Sequence, residues 1–322
     1  MKALFAALLA TLLWAPAQAG AFLLTFPVAC TLGDTCFIQQ YTDRDPSPKS
    51  SDFTCGPLSY DGHKGTDFAV PTLADMENGV TVTAAATGVV RATRDSMADI
   101  AANAPNAPDI TDRDCGNAVV LTHEGGWETQ YCHLKRGSVL VRPGQTVAVG
   151  APLGQIGLSG RTEFPHLHLS LRQNGQVIDP FSPGDTNTCG VSTPSLWSPA
   201  LPFQPGGVID AGFATDIPGF DLVKQGGAGL QTLPQSAPAL VLWAHVFGSQ
   251  AGDRLTFTLN GPDGEVLRET VTLDKTQART MRAIGKRSRG QNWPIGTYKG
   301  TITMLRGSIE ISQKTLSLTI AP

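Results

Sequence analysis

Phe164-Pro165-His166-Leu167-His168-Leu169-Ser170 sets two histidines two residues apart, with leucines alternating between them. A period of two predicts a short strand with both imidazoles on one face and the leucines on the other. Two imidazoles on one strand face supply half of a metal site. The alternative is a strand whose polar face simply carries two histidines. Far upstream, His63-Lys64-Gly65-Thr66-Asp67 holds a histidine and an aspartate four apart around a glycine, just before the strand-like Phe68-Ala69-Val70. A catalytic zinc takes three protein ligands from His, Asp or Glu and leaves one position open for water. The candidates for such a site are His63, Asp67, His133, His166 and His168.

These residues need elements to position them. From Val80 to Asp179 the chain reads as strand after strand: Val80 to Ala85, Gly88 to Ala92, Ala118 to His123, Trp127 to Leu134, Thr146 to Gly150, Leu153 to Gly157, the histidine strand, and Val177 to Asp179. Glu124-Gly125-Gly126 between two of them is a hairpin signature. Residues 55–183 are therefore expected to form an antiparallel β domain. Residues 94–114 break the rhythm with Asp95, Asp99, Asp109, Asp112 and Asp114; Ser96 to Asn103 could make a helical turn or two. A long loop in a compact domain is commonly functional, and this one is expected to wall a substrate groove. Residues 20–54 read as irregular. Residues 184–206, rich in Pro, Ser, Thr and Gly, read as a linker. Residues 207–322 predict about seven further strands, with a hairpin turn at Gly261-Pro262-Asp263-Gly264. That spacing suggests a β-sandwich of immunoglobulin or fibronectin type III kind. The fold class expected for the whole chain is all-β.

Composition bounds the compartment and the partners. The 322 residues suggest about two domains. A net charge of −3 offers no basic field for nucleic acid or anionic membrane. The 35 glycines and 23 prolines favour turns and short strands over long helices. Residues 1–19 combine a basic start, an apolar run from Ala3 to Ala15 and an Ala-Gln-Ala site, which reads as a cleaved signal peptide. That run is too short to span a bilayer core of about 30 Å, so no stable membrane insertion is expected. Six cysteines, all before residue 190, suggest disulfides in an exported protein, periplasmic or extracellular. Cys30 and Cys36 are expected to close a small loop; Cys55 with Cys115 and Cys132 with Cys189 is one guess among the other pairings.

Taken together, His63-Lys64-Gly65-Thr66-Asp67, Ala84 to Val90, Gly116-Asn117, Tyr131-Cys132-His133-Leu134, Val147 to Gly154 and Pro165-His166-Leu167-His168 stand in an order that resembles the lysostaphin-type, LytM-like zinc endopeptidases. The resemblance covers about residues 60 to 180. It implies one Zn2+ held by His63, Asp67 and His168, with His133 and His166 lining the site as catalytic groups. It also implies a metal-activated water that attacks peptide bonds of peptidoglycan, in a stem peptide or cross-link. No HExxH helix supplies a glutamate base, so proton handling falls to the two histidines. The alternatives are a non-catalytic envelope protein regulating a cell-wall amidase, whose kind lacks zinc ligands, or a zinc endopeptidase acting on extracellular proteins. A side chain from residues 20–54 could also occupy the fourth zinc position in a latent form. His123, Asn117, Trp127 and Tyr131 are expected to be structural, as is His245 in the second half; Asp179-Pro180 is expected to cap the first domain.

Overall fold

The computed structural model describes residues 22–184, 187–190 and 194–322; the expected signal peptide lies outside them. The first half contains β1 (Phe37–Gln40), β2 (Thr66–Ala69), α1 (Leu73–Asn78), β3 (Thr81–Thr83), β4 (Gly88–Arg94), β5 (Asn117–Thr122) and β6 (Trp127–Leu134). It continues through β7 (Thr146–Val147), β8 (Pro152–Gln155), β9 (His166–Gln173) and β10 (Gln176–Ile178). An antiparallel sheet runs β1-β2-β9-β6-β5-β4-β7, with β10 paired to β9. A small sheet of β3 and β8 packs with it.

The period-two pattern of β9 explains the central position of that strand. Leu167, Leu169 and Leu171 point into the core and are at most 1 % exposed, where they join Ile38, Phe68, Val119, Leu121 and Tyr131. Burying each leucine stabilises the fold by about 1.5–3 kcal/mol. A one-residue slip would exchange these leucines for His166, His168 and Ser170, so the core fixes which face carries the histidines.

Residues 20–54 are not merely irregular. Ile38 and Phe37 give this stretch a strand, β1, which pairs with β2 in the main sheet. Residues 184–206 also differ from a free linker: Trp197 is buried in the first core, the Ser198 N–H donates to the Leu24 carbonyl, and the Gln204 side chain accepts from the Ile38 N–H. Apolar residues at Leu196, Trp197 and Leu201 outweigh the turn-forming composition around them. The 94–114 loop contains turns but no helix; its Asp95 and Asp99 carboxylates accept from backbone N–H groups of 136, 137 and 158. Asn117 is structural as expected, with its side chain bonded to the Met97 backbone and the Leu134 carbonyl.

Three disulfides form: Cys30–Cys36, Cys55–Cys189 and Cys115–Cys132. The first is the expected small loop, and the other two correct the guessed pairing. The reason lies just outside the strands: the backbone turns at Gly116, with φ +64°, and the Cys115 carbonyl accepts from the His133 N–H, so Cys115 lies beside Cys132 at a Cα separation of 4.8 Å.

The second half comprises β11 (Gly207–Ala214), α2 (Phe220–Gln225), β12 (Thr232–Pro234), β13 (Ala239–Ser249), β14 (Arg254–Gly261), β15 (Gly264–Thr272), β16 (Gln277–Arg287), β17 (Gly296–Arg306) and β18 (Ile309–Ala321). One sheet has the order β11-β13-β16 and the other β12-β18-β17-β14-β15. Both contribute to a single core, including Leu242 and Val246 from one and Phe257, Ile302 and Leu318 from the other. The seven predicted strands lie within this set; α2 and β12 are additions. His245 is fully buried on β13, and burial holds its pKa down at about 3, so it is neutral and structural.

The two halves meet beside the histidine face. Phe37 pairs with Ala69 and Ala69 with His166, so all three share one face of the sheet. Phe37 and Ala69 pack against Ile209 and Phe247 of the second half. Arg279 of β16 donates to the Gln39 side chain and lies over the Phe164 ring at 4.3 Å.

Asp179 closes the first half by a buried contact with Arg44, Nη1 to Oδ2 at 3.6 Å, and accepts from the Phe181 N–H. Burial pushes its carboxyl up to about 6, against the Arg44 charge and these hydrogen bonds. A raised pKa in the folded state means a stabilising contribution that is complete below the unfolded value of about 4 and lost as pH rises through about 6. Asp179→Asn cannot ionise. Denaturant titrations of both proteins from pH 4 to 7 are therefore expected to show wild type losing stability relative to the variant as pH rises. A constant difference would refute this.

Candidate metal centre

All five sequence-selected residues converge at one end of the β2–β9–β6 face. His63 lies in the turn before β2, Asp67 on β2, His166 and His168 on β9, and His133 near the end of β6. Asp67 and His168 are directly paired across the sheet. His63 Nε2, Asp67 Oδ1 and His168 Nδ1 stand 3.1, 2.8 and 3.1 Å apart. These three residues form the one cluster of metal-ligating groups among the described residues. A tetrahedral ion with ligands near 2.0–2.1 Å needs ligand atoms about 3.3–3.4 Å apart, so the triangle is slightly contracted and of the right size.

Hydrogen bonds outside the triangle orient its nitrogens. His63 Nδ1 is 2.7 Å from the Tyr41 carbonyl, which can only accept, so Nδ1 carries the proton and the Nε2 lone pair turns inward. Ser170 Oγ, 3.0 Å from His168 Nε2, is placed to accept in the same way and leave Nδ1 facing the centre. A carboxylate oxygen and two imidazole lone pairs then converge on one point, a donor set that suits a divalent cation. Gly65 permits this packing: a Cβ there would come within 2.6 Å of His168 Nε2 and of the Leu169 carbonyl.

The same inward-facing atoms also compete for protons, which a cation would have to displace. Burial opposes ionisation of Asp67, but the charges of His63 and His166 and hydrogen bonds from His166 and His168 hold the carboxyl well below the usual range. Burial alone would lower His63; the Asp67 charge and hydrogen bonds to Asp67 and the Tyr41 carbonyl outweigh it and raise the ring. His168 is lowered, chiefly by burial.

His133 and His166 flank the triangle with ring centroids 4.7 Å apart. His133 Nδ1 is 2.7 Å from the Ser159 carbonyl, so Nδ1 carries the proton and Nε2 keeps its lone pair. Burial, then the neighbouring His166 and His168 charges, push His133 well below the ordinary histidine value. The backbone of His133 has φ +62°, uncommon for a residue with a Cβ. Its N–H donates to the Cys115 carbonyl and its own carbonyl accepts from Gly157, while the Cys115–Cys132 disulfide anchors the preceding residue. His166 Nδ1 lies 3.0 Å from the Phe164 carbonyl and 3.1 Å from Thr162 Oγ1; its Nε2 is 3.4 Å from Asp67 Oδ1.

A cavity of about 510 Å³ opens beside the triangle, lined by Asp67, His133, His166, Gln40, Tyr60 and Phe164 among others. Ala102 and Asn103 contribute to it, so the 94–114 loop does wall the cavity. His123 is elsewhere, bonded to the Thr87 carbonyl and Thr129, and Tyr131 is a core residue that accepts from the Ala85 N–H. Sequence reasoning missed the Tyr41 and Ser159 carbonyls, for which no side-chain signal exists, and also Gln40 and Tyr60. Ser170 was findable, because it continues the period-two series from His166 and His168.

Two imidazoles and a carboxylate on a β-sheet beside an open cavity make a donor set of the kind that metal-dependent hydrolases use. Residues 61–180 match the model of peptidase family M23. Over 117 residues the chain is 36% identical to the peptidoglycan DD-endopeptidase ShyA of Vibrio cholerae, covering 36% of this chain and 22% of that protein. Over 67 residues it is 42% identical to the DD-carboxypeptidase/endopeptidase Mpg of Neisseria meningitidis, covering 21% of this chain and 15% of the relative. The chain thus spans about a fifth of the length of these relatives. Among solved structures, the catalytic domain of the prophage-encoded M23 protein EnpA of Enterococcus faecalis aligns at a TM-score of 0.34 with 23% identity, covering 51% of this chain and 99% of that one.

Gly65→Ala provides a test of the centre. The added Cβ must displace the His168 ring, so affinity for Zn2+, measured by competition with a chelating dye, is expected to fall on the order of 10–100-fold. His63→Ala is expected to abolish stoichiometric uptake. Undiminished Zn2+ binding by both variants would refute the ligand set.

Proposed function

We propose that the protein is an exported zinc metalloendopeptidase that hydrolyses peptide bonds of peptidoglycan, with His63, Asp67 and His168 holding one Zn2+. The observation that carries this reading is the convergence of three donor atoms within 3.1 Å of one another beside two histidines that are not needed as ligands. The names of the relatives point to peptidoglycan, and three disulfides suit an oxidising compartment outside the cytoplasm.

Zinc, when bound, supplies a Lewis acid that polarises the scissile carbonyl and makes water acidic enough to react near neutral pH. The other roles fall to the chain. His133, neutral at working pH and with its Nε2 lone pair free, takes the proton of the attacking water. His166 Nδ1 donates to the Phe164 carbonyl, which turns Nε2 to the cleft; bearing the second proton of the ring, that nitrogen stabilises the developing oxyanion. The Ser159 carbonyl keeps His133 in the required tautomer throughout. Protons then pass from His133 to the departing amine. The presence of all three ligands and both flanking histidines favours this reading over a non-catalytic amidase regulator.

Digestion of purified sacculi, with mass analysis of the released fragments, tests the proposal. His133→Ala is expected to retain zinc and to lose about 10²–10⁴-fold in kcat, the usual contribution of a general base. His168→Ala is expected to lose both zinc and activity. Equal fragment release by wild type and both variants would sink the assignment.

A further inference from the structure

Gln40 was not selected by any sequence pattern, yet it is the structure's most pointed unused group. It is 9 % exposed and its side-chain oxygen is buried with no hydrogen-bond partner. Among the described residues with such an orphaned atom, Gln40 alone lines the cavity beside the metal triangle. Register places it there: across β1 and β2, Gln40 pairs directly with the candidate ligand Asp67. Buried acceptors are nearly always satisfied in folded proteins, so an unsatisfied one on a residue that lines a cleft marks the place of an absent donor.

The surroundings say how that donor approaches. Gln40 and Tyr60 also line a second cavity, of about 230 Å³, whose far side is Gly248, Ser249 and Thr276 to Ala278 of the second half. Gln40 and Tyr60 therefore stand between the metal-side cleft and a cavity walled by the start of β16. A bound chain crossing from one cavity to the other must run past the Gln40 amide. A peptide backbone carries an N–H at each residue and matches an acceptor in that position.

We propose that Gln40 anchors the substrate, its side-chain carbonyl accepting a hydrogen bond from a peptide N–H, and that the second half of the molecule forms the distal wall of the substrate channel. This inference rests on the peptidase reading above. The accessory region then accommodates the part of a peptide substrate that extends away from the scissile bond.

The test separates an anchoring group from a structural one. Gln40→Met keeps length and removes the acceptor. Because the acceptor is unsatisfied in the free protein, its removal is expected to leave Tm unchanged or raised, while KM for a soluble cross-linked muropeptide dimer rises about three- to tenfold, one hydrogen bond's worth, and kcat stays within about twofold. Ala278→Trp, at the exposed β16 edge, is expected to raise KM for the dimer but not for a single short stem peptide. An unchanged KM for Gln40→Met, a clear fall in its Tm, or equal effects of Ala278→Trp on both substrates would overturn the inference. Should wild type leave the dimer uncut, the peptidase reading fails on its own; calorimetric binding of the same dimer by wild type and Gln40→Met then decides the role of Gln40, equal affinity refuting it and weaker binding by the variant supporting it.

Discussion

A buried carboxylate is the constraint on which the rest of the site depends. Asp67 is 2 % exposed, and an ion removed from water to that degree carries a penalty of several kcal/mol unless charge and hydrogen bonds replace its hydration. Here the replacement comes from imidazoles: His63, His166 and His168 each bring a nitrogen within 3.4 Å of one oxygen of Asp67. Those three rings come from a turn and a neighbouring strand, so the carboxylate demands that β2 and β9 pair in one register. The same register places Leu167 and Leu169 in the core. Folding energetics and metal chemistry thus select the same alignment.

The division of labour among the histidines follows from what each ring's outer nitrogen meets. His63 and His133 both donate to backbone carbonyls, Tyr41 and Ser159, yet burial and charge act on them in opposite net directions. His63 sits against Asp67 and is raised; His133 faces other histidines and is lowered. The first keeps its inward nitrogen beside the carboxylate, as a ligand should. The second stays uncharged, as a proton acceptor should. Two residues of one type and one tautomer acquire different roles through their neighbours.

Much of this was legible in the chain. The alternation in His166-Leu167-His168-Leu169 specifies a strand and a face, and the His63 to Asp67 spacing brings a second pair of donors to the start of the next strand. What escaped was carried by backbone atoms or by long-range register. The Tyr41 carbonyl orients His63 from a stretch whose composition reads as irregular, because two apolar residues suffice to add an edge strand to an existing sheet. Disulfide partners escaped for a similar reason: Cys115 reaches Cys132 through the turn at Gly116 and a backbone hydrogen bond from His133 to its carbonyl, neither of which has a side-chain signal. The apparent linker packs because a few large apolar side chains within it find an existing core.

The contact between the two halves bears on function because of where it lies. Had the second half packed on the leucine side of β9, it would only have thickened the core. It packs instead on the histidine face, through Phe37, Ala69, Ile209 and Phe247, and Arg279 covers the outer side of Phe164. Phe164 in turn stacks on His166 with ring centroids 4.5 Å apart. A guanidinium, a phenyl ring and an imidazole thus form one continuous stack from the accessory region to the site. Cation–π and ring stacking contacts are each worth only about 0.5–1.5 kcal/mol. Their effect here is positional: they limit the ways Phe164 can move, and Phe164 supplies the carbonyl that holds His166. Docking of the second half is therefore part of how the cleft keeps its shape.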